Sequence, residues 1–188
     1  MTNANTLALL DQAELMQLAL NASTGDDSGA AIAYLKETVG RADATAFAHY
    51  LLGAEYAQIG LYERAIGQME AAIAQDPALS VARLQLGMLW LGANQAARAL
   101  DVLAVLQELG EQDPLRHFGA GLIALTQEDK GAALQALAQG VALNTVNPAL
   151  NGDMQRIMRQ LEEGAAPAAP AAADDSQHVL LSAYSRVH

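Results

Sequence analysis

At 188 residues, 52% hydrophobic but only 4% aromatic, the chain draws its apolar content mainly from Ala and Leu. These favour helices over strands and point to an all-α protein. A net charge of −11 and the absence of Cys argue against nucleic acid and anionic membrane as partners and exclude disulfides and thiol chemistry.

Residues 1–11 form a lead-in without a basic n-region or a cleavable apolar stretch, and no run approaches eighteen apolar residues. A soluble cytoplasmic protein without membrane insertion is expected. From residue 12 onward a period of 34 governs the chain. Gly53, Gly87 and Gly121 follow it, as do Ala65, Ala99 and Ala133, then Met69, Leu103 and Leu137, and also Tyr56, Trp90 and Ala124. Extended backwards, the register reaches Ala19, Ala31 and Leu35. Four units result, 12–45, 46–79, 80–113 and 114–147, each predicted to be a pair of helices. Within the units, turn chemistry falls at Gly25-Asp26-Asp27-Ser28, Ile59-Gly60-Leu61, Gly92-Ala93-Asn94 and Gln127-Glu128-Asp129. Asn147-Pro148 then opens a capping helix over 148–163, with Leu150, Met154, Ile157, Met158 and Leu161 on one face. An Ala/Pro linker spans 164–175, and 176–188 is an apolar tail carrying Val179, Leu180, Leu181 and Tyr184.

Small residues such as Gly53 and Ala65 let the two helices of a pair approach closely while large ones fill the gap to the next pair. At these residues the chain resembles the tetratricopeptide repeat family. The second unit carries the pattern most fully, with His49, Leu52, Gly53, Tyr56, Ala65, Met69, Ala72 and Pro77. It departs from the family in having His for Trp and Met for Phe. The third unit has Glu111 where Pro is expected, and the first has Ala19 for Gly and Asp43 for Pro. The resemblance implies a right-handed superhelical solenoid of about four antiparallel helix pairs with a C-terminal capping helix. It also implies a concave groove lined by positions 2, 5, 9 and 12 of each first helix. Carried over, these are Ala13, Met16, Leu20 and Ser23, then Phe47, Tyr50, Ala54 and Ala57, then Val81, Leu84, Met88 and Leu91, and finally Leu115, Phe118, Leu122 and Leu125. Lys, Arg and Asn, which family members use to hold a client's C-terminal carboxylate, are absent from this set. The same residues also suit packing between neighbouring first helices.

Little in the chain points to catalysis. His49 and His117 occupy one repeat position and read as packing substitutes for the family's large residue. No carboxylate near either completes a metal-ligand spacing, and there is no phosphate loop or nucleophile motif. No enzyme activity, cofactor or metal is expected. An apolar groove suits an amphipathic helix or an apolar peptide segment of another protein, with Met16 and Met88 adapting to its shape. The expectation is therefore a non-catalytic adaptor or scaffold. The alternatives are a secretion-type chaperone for a hydrophobic client, which the family's small chaperones resemble in size and acidity, and a self-assembling scaffold. The tail supplies a candidate self-ligand, in cis or as a bridge between copies. Burying its apolar residues would gain about 1.5–3 kcal/mol each. Ordering the segment costs about 1–2 kcal/mol per residue, so docking would be marginal and displaceable.

Overall fold

The computed structural model describes residues 7–163. The linker 164–175 and the tail residues Val179, Leu180, Leu181 and Tyr184 lie outside them. Among the described residues the protein is all-helical, without strands. These residues divide into two compact units at Leu79/Ser80. The first contains α1 (Gln12–Thr24), α2 (Ser28–Val39), α3 (Ala46–Gln58) and α4 (Tyr62–Gln75). The second contains α5 (Ser80–Gly92), α6 (Ala96–Ala104) with a 3₁₀ extension (Val105–Glu108), α7 (Pro114–Thr126), α8 (Lys130–Leu143) and α9 (Pro148–Glu162).

Six helices, α1, α2, α3, α7, α8 and α9, start where a side chain satisfies one of their first free N–H groups, whereas α4 and α6 begin without such a cap. Asp11 and Glu14 form a reciprocal capping box on α1, both bonds being 2.8 Å. Asp27 caps α2, Thr45 caps α3 and Asp129 caps α8 through the N–H three residues on. Asp113 and Asn147 cap α7 and α9, each followed by Pro, whose missing N–H costs nothing at a first helical position.

The four first helices, α1, α3, α5 and α7, begin 34 residues apart, and the turns that close each pair repeat with them. Asp26, Gly60, Asn94 and Glu128 all have left-handed backbone, with φ of 59°, 77°, 57° and 59°. The next N–H in each case reaches back to the helix. Asp27 donates to the carbonyl of Ala22 at 2.9 Å, Leu61 to Tyr56 at 2.8 Å, Gln95 to Trp90 at 2.8 Å and Asp129 to Ala124 at 3.0 Å. This is the Schellman closure, which satisfies a helix's last carbonyls and reverses the chain within three residues.

The glycine–large-residue pairs sit inside these hairpins. A Cβ at Gly53 would lie 3.0 Å from Met69 Cε and 3.1 Å from the Ala65 carbonyl. At Gly87 it would come within 2.5 Å of Leu103 Cδ2, and at Gly121 within 2.6 Å of Leu137 Cγ. Met69, Leu103 and Leu137 are fully buried, as are Ala65, Ala99 and Ala133. In the first unit the core is completed by Leu15, Leu35, Leu51 and Leu52. In the second it is completed by Leu86, Leu106, Phe118, Leu150 and Met154, the last two docking α9.

Candidate peptide-binding surface

The sequence-predicted lining residues all lie on first helices, but their burial divides them. In the first unit, Leu20 on α1 and Tyr50 on α3 are core residues, and Ser23 is buried with them. Met16 and Phe47 are half-buried and reach solvent, Ala54 and Ala57 are half-buried, and Ala13 is exposed. Phe47 is held by stacking on Tyr50, with ring centroids 5.6 Å apart. Burial pushes the Tyr50 phenol well above its ordinary value, so it stays neutral.

The second unit shows the same division. Leu84 on α5 and Phe118 and Leu122 on α7 are buried. Val81, Met88 and Leu91 on α5 and Leu115 and Leu125 on α7 are half-buried. α5 and α7 pack against each other, so these five side chains belong to neighbouring helices of one unit. The part of the set that reaches solvent is apolar throughout: Ala13, Met16, Phe47, Ala54 and Ala57 in one unit and these five in the other. Helical backbone offers no free edge for strand addition, so a ligand on this surface would have to be held by side-chain burial.

His49 and His117 have structural partners. His49 Nδ1 lies 2.8 Å from Gln68 Oε1 on the partner helix of its hairpin. His117 Nε2 is 2.7 Å from the Glu111 carbonyl, which only accepts, so that nitrogen carries the proton. Among the described residues no group of three or more His, Cys, Asp or Glu is placed to hold a metal ion, and no helix is long and apolar enough to cross a membrane.

Three features escaped the sequence reading. Arg64 lies over the Tyr56 ring at 5.8 Å and Arg98 over Trp90 at 4.5 Å, a cation–π pair that recurs with the period because both members do. Asn144, Asn147 and Asn151 interlock between α8 and α9. Glu55 on α3 is fully buried with neither carboxylate oxygen hydrogen-bonded. The signal for the first was present, since Arg64 and Arg98 are 34 residues apart.

No protein-family model and no curated protein matches the chain. Solved structures do. A structure described as MamA 41-end from Desulfovibrio magneticus RS-1 shares 21% identity at a TM-score of 0.59, covering 82% of this chain and 92% of that one. A MamA RS-1 double mutant gives 20% identity and a TM-score of 0.59, with 82% and 91% coverage. A further crystal structure of MamA gives 19% and 0.60, with 71% and 78% coverage. The chain is thus similar in fold to helical-repeat proteins of tetratricopeptide-like form.

Proposed function

We propose that this protein is a non-catalytic, cytoplasmic protein-interaction adaptor that takes an apolar peptide or one face of an amphipathic helix onto the first helices of its repeats. The observation that carries the reading is the set of half-buried, uniformly apolar side chains: Met16 and Phe47 in the first unit, and Val81, Met88, Leu91, Leu115 and Leu125 in the second. A ligand that covers a Leu or Phe side chain gains about 1.5–3 kcal/mol from each burial. Met at two of these positions adapts to varied side chains without fixing one sequence. The fold likeness supports a scaffold, because stacked helix pairs present broad surfaces to other chains.

The tail residues Val179, Leu180, Leu181 and Tyr184 are proposed as a weak self-ligand for the same surface, kept close by the linker 164–175. The test uses a fluorescent amphipathic peptide with Leu and Phe at i, i+3, i+4 and i+7, titrated into the full chain and a 1–163 truncation. Full-chain binding is expected to weaken at least about tenfold in Met16→Ser/Phe47→Ser or in Met88→Ser/Leu91→Ser, since each pair loses more than about 1.4 kcal/mol of contact. Unchanged affinity in both double variants overturns the surface assignment. Tighter binding by the truncation supports the tail as competitor. A dimer in light scattering that the truncation dissolves favours the self-assembling scaffold instead, and suppression of a client's aggregation without a discrete peptide site favours the chaperone.

A further inference from the structure

The 34-residue period supplies an internal comparison for one residue. Where α5 and α7 carry Leu89 and Ile123, α3 carries Glu55. Its side chain is fully buried, and neither carboxylate oxygen makes a hydrogen bond. The polar side chains that bear on it are Ser23, in the last turn of α1, and Ser28, at the start of α2. Ser23 is itself buried. Ser23 breaks the period as Glu55 does. Ser23 stands where the later repeats have Ala57, Leu91 and Leu125, and Ser28 where they have Tyr62, Ala96 and Lys130. Glu55 and Ser23 are thus polar at positions that are apolar in every later repeat.

Among the described residues, no charged side chain is paired with the carboxylate. On α1, Glu14 is engaged with Asp11, and in the following turn Asp26 and Asp27 are exposed, Asp27 capping α2. On α2, Lys36 is exposed and Glu37 pairs with Arg41. On α4, Glu63 and Glu70 are exposed and Arg64 stacks on Tyr56. On α3 itself, His49 is engaged with Gln68. Desolvation is the largest influence on Glu55 and raises its pKa; the Ser23 and Ser28 hydroxyls, close to the carboxyl but outside hydrogen-bond geometry with it, lower it by less.

We propose that Glu55, Ser23 and Ser28 form a protonation-dependent latch holding the first hairpin, α1–α2, to the second, α3–α4. With the carboxyl neutral, a small adjustment of the side chains lets its O–H donate to one serine hydroxyl and its carbonyl oxygen accept from the other, closing a polar trio. Ionised, the group only accepts and lies buried without a cation, and that state favours opening. The direction follows from linkage. The latched form keeps a proton that the open form releases, so closure is strongest below the ordinary glutamate value and weakens as pH rises from there to the latched value. α1 and α3 carry Met16 and Phe47, so opening alters the apolar face of this unit. The latch stands whether or not that face binds a peptide.

The test is hydrogen–deuterium exchange on the full chain from about pH 4 to about pH 8, corrected for the intrinsic chemical rate, with Glu55→Gln and Glu55→Leu alongside. In the wild type, the opening constant of α1 and α2 amides is expected to rise about tenfold per pH unit above the ordinary glutamate value and then level off. In both variants the profile is expected to be flat, with α7 and α8 amides unaffected throughout. A flat wild-type profile, or the same rise in the variants, overturns the proposal. Should the variants fail to fold, carbon-13 titration of the Glu55 carboxyl in the wild-type chain decides. A raised midpoint that the opening of α1–α2 follows supports the latch. A midpoint in the ordinary range, or one that the opening does not follow, overturns it.

Discussion

Glycine has opposite meanings at two positions of this chain. On α5, a Cβ at Gly87 would come within 2.5 Å of Leu103, a fully buried leucine, so the missing methyl is what lets α5 and α6 close. On α4, Gly67 is exposed and a Cβ there meets nothing within 4 Å. Gly87→Ala is expected to lower stability by about 1–3 kcal/mol through overpacking. Gly67→Ala is expected to raise it by about 0.5–1 kcal/mol by restricting the unfolded chain and favouring helix. Urea unfolding midpoints of the two variants check both signs, and equal shifts in one direction would sink the close-approach reading. The period revealed Gly87 in the sequence because small-against-large packing must recur wherever two helices meet at the same distance. It could not reveal Glu55, because a lone acid on a helix ordinarily faces solvent. The one available sign was its alignment with Leu89 and Ile123. The burial of Leu20, Tyr50, Leu84, Phe118 and Leu122 was equally hidden, since spacing places a residue on a face without saying how deeply its neighbours cover it.

At the scale of elements, the turns were visible as clusters of Gly, Asn and Asp, but the left-handed residue was not. At Glu128 a residue with no preference for φ of 59° holds the position that Gly60 and Asn94 fill more easily, because the Schellman closure around it fixes the backbone. The shortening of α6 was also unreadable. Its helix gives way to 3₁₀ at Val105, which drives Leu106 into the core against Gly119, where Gln107 Nε2 donates to the Arg116 carbonyl at 3.1 Å. The docking of α9 depends on one side chain more than its apolar stripe suggested. Asn144 Nδ2 donates to the Asn147 carbonyl and to Asn151 Oδ1, both at 2.8 Å, and its Oδ1 accepts from the Asn147 N–H at 3.1 Å. Asn151 Nδ2 donates back to the Asn144 carbonyl at 2.9 Å. Asn144→Ala removes three of these bonds and strands the N–H of Asn147, costing about 1–3 kcal/mol. The expected outcome is faster amide exchange and earlier protease cleavage within 148–162, with α7 protection unchanged. Uniform loss of protection across the second unit would show instead that Asn144 supports the whole unit and not the α8–α9 connection.

For the whole molecule, charge and apolar surface make separable demands on a partner. The chain carries a net charge of −11, yet none of the half-buried side chains proposed to meet a ligand is ionisable. Long-range attraction should therefore govern how fast a charged ligand arrives, and apolar burial how long it stays. Two peptides with one apolar face separate the contributions, the first with an uncharged polar face and the second with a lysine-rich one. For the uncharged peptide, Kd is expected to change by less than about twofold between roughly 50 mM and 500 mM salt, because screening has no charge pair to weaken. Its binding heat capacity should be negative, the mark of apolar surface leaving water. For the lysine-rich peptide, the association rate should fall as salt rises while the dissociation rate stays level. A Kd for the uncharged peptide that weakens tenfold with salt would place polar or charged groups at the site and overturn the apolar reading. A dissociation rate that rises with salt for the lysine-rich peptide would show that acidic residues of this chain hold the bound ligand as well as draw it in.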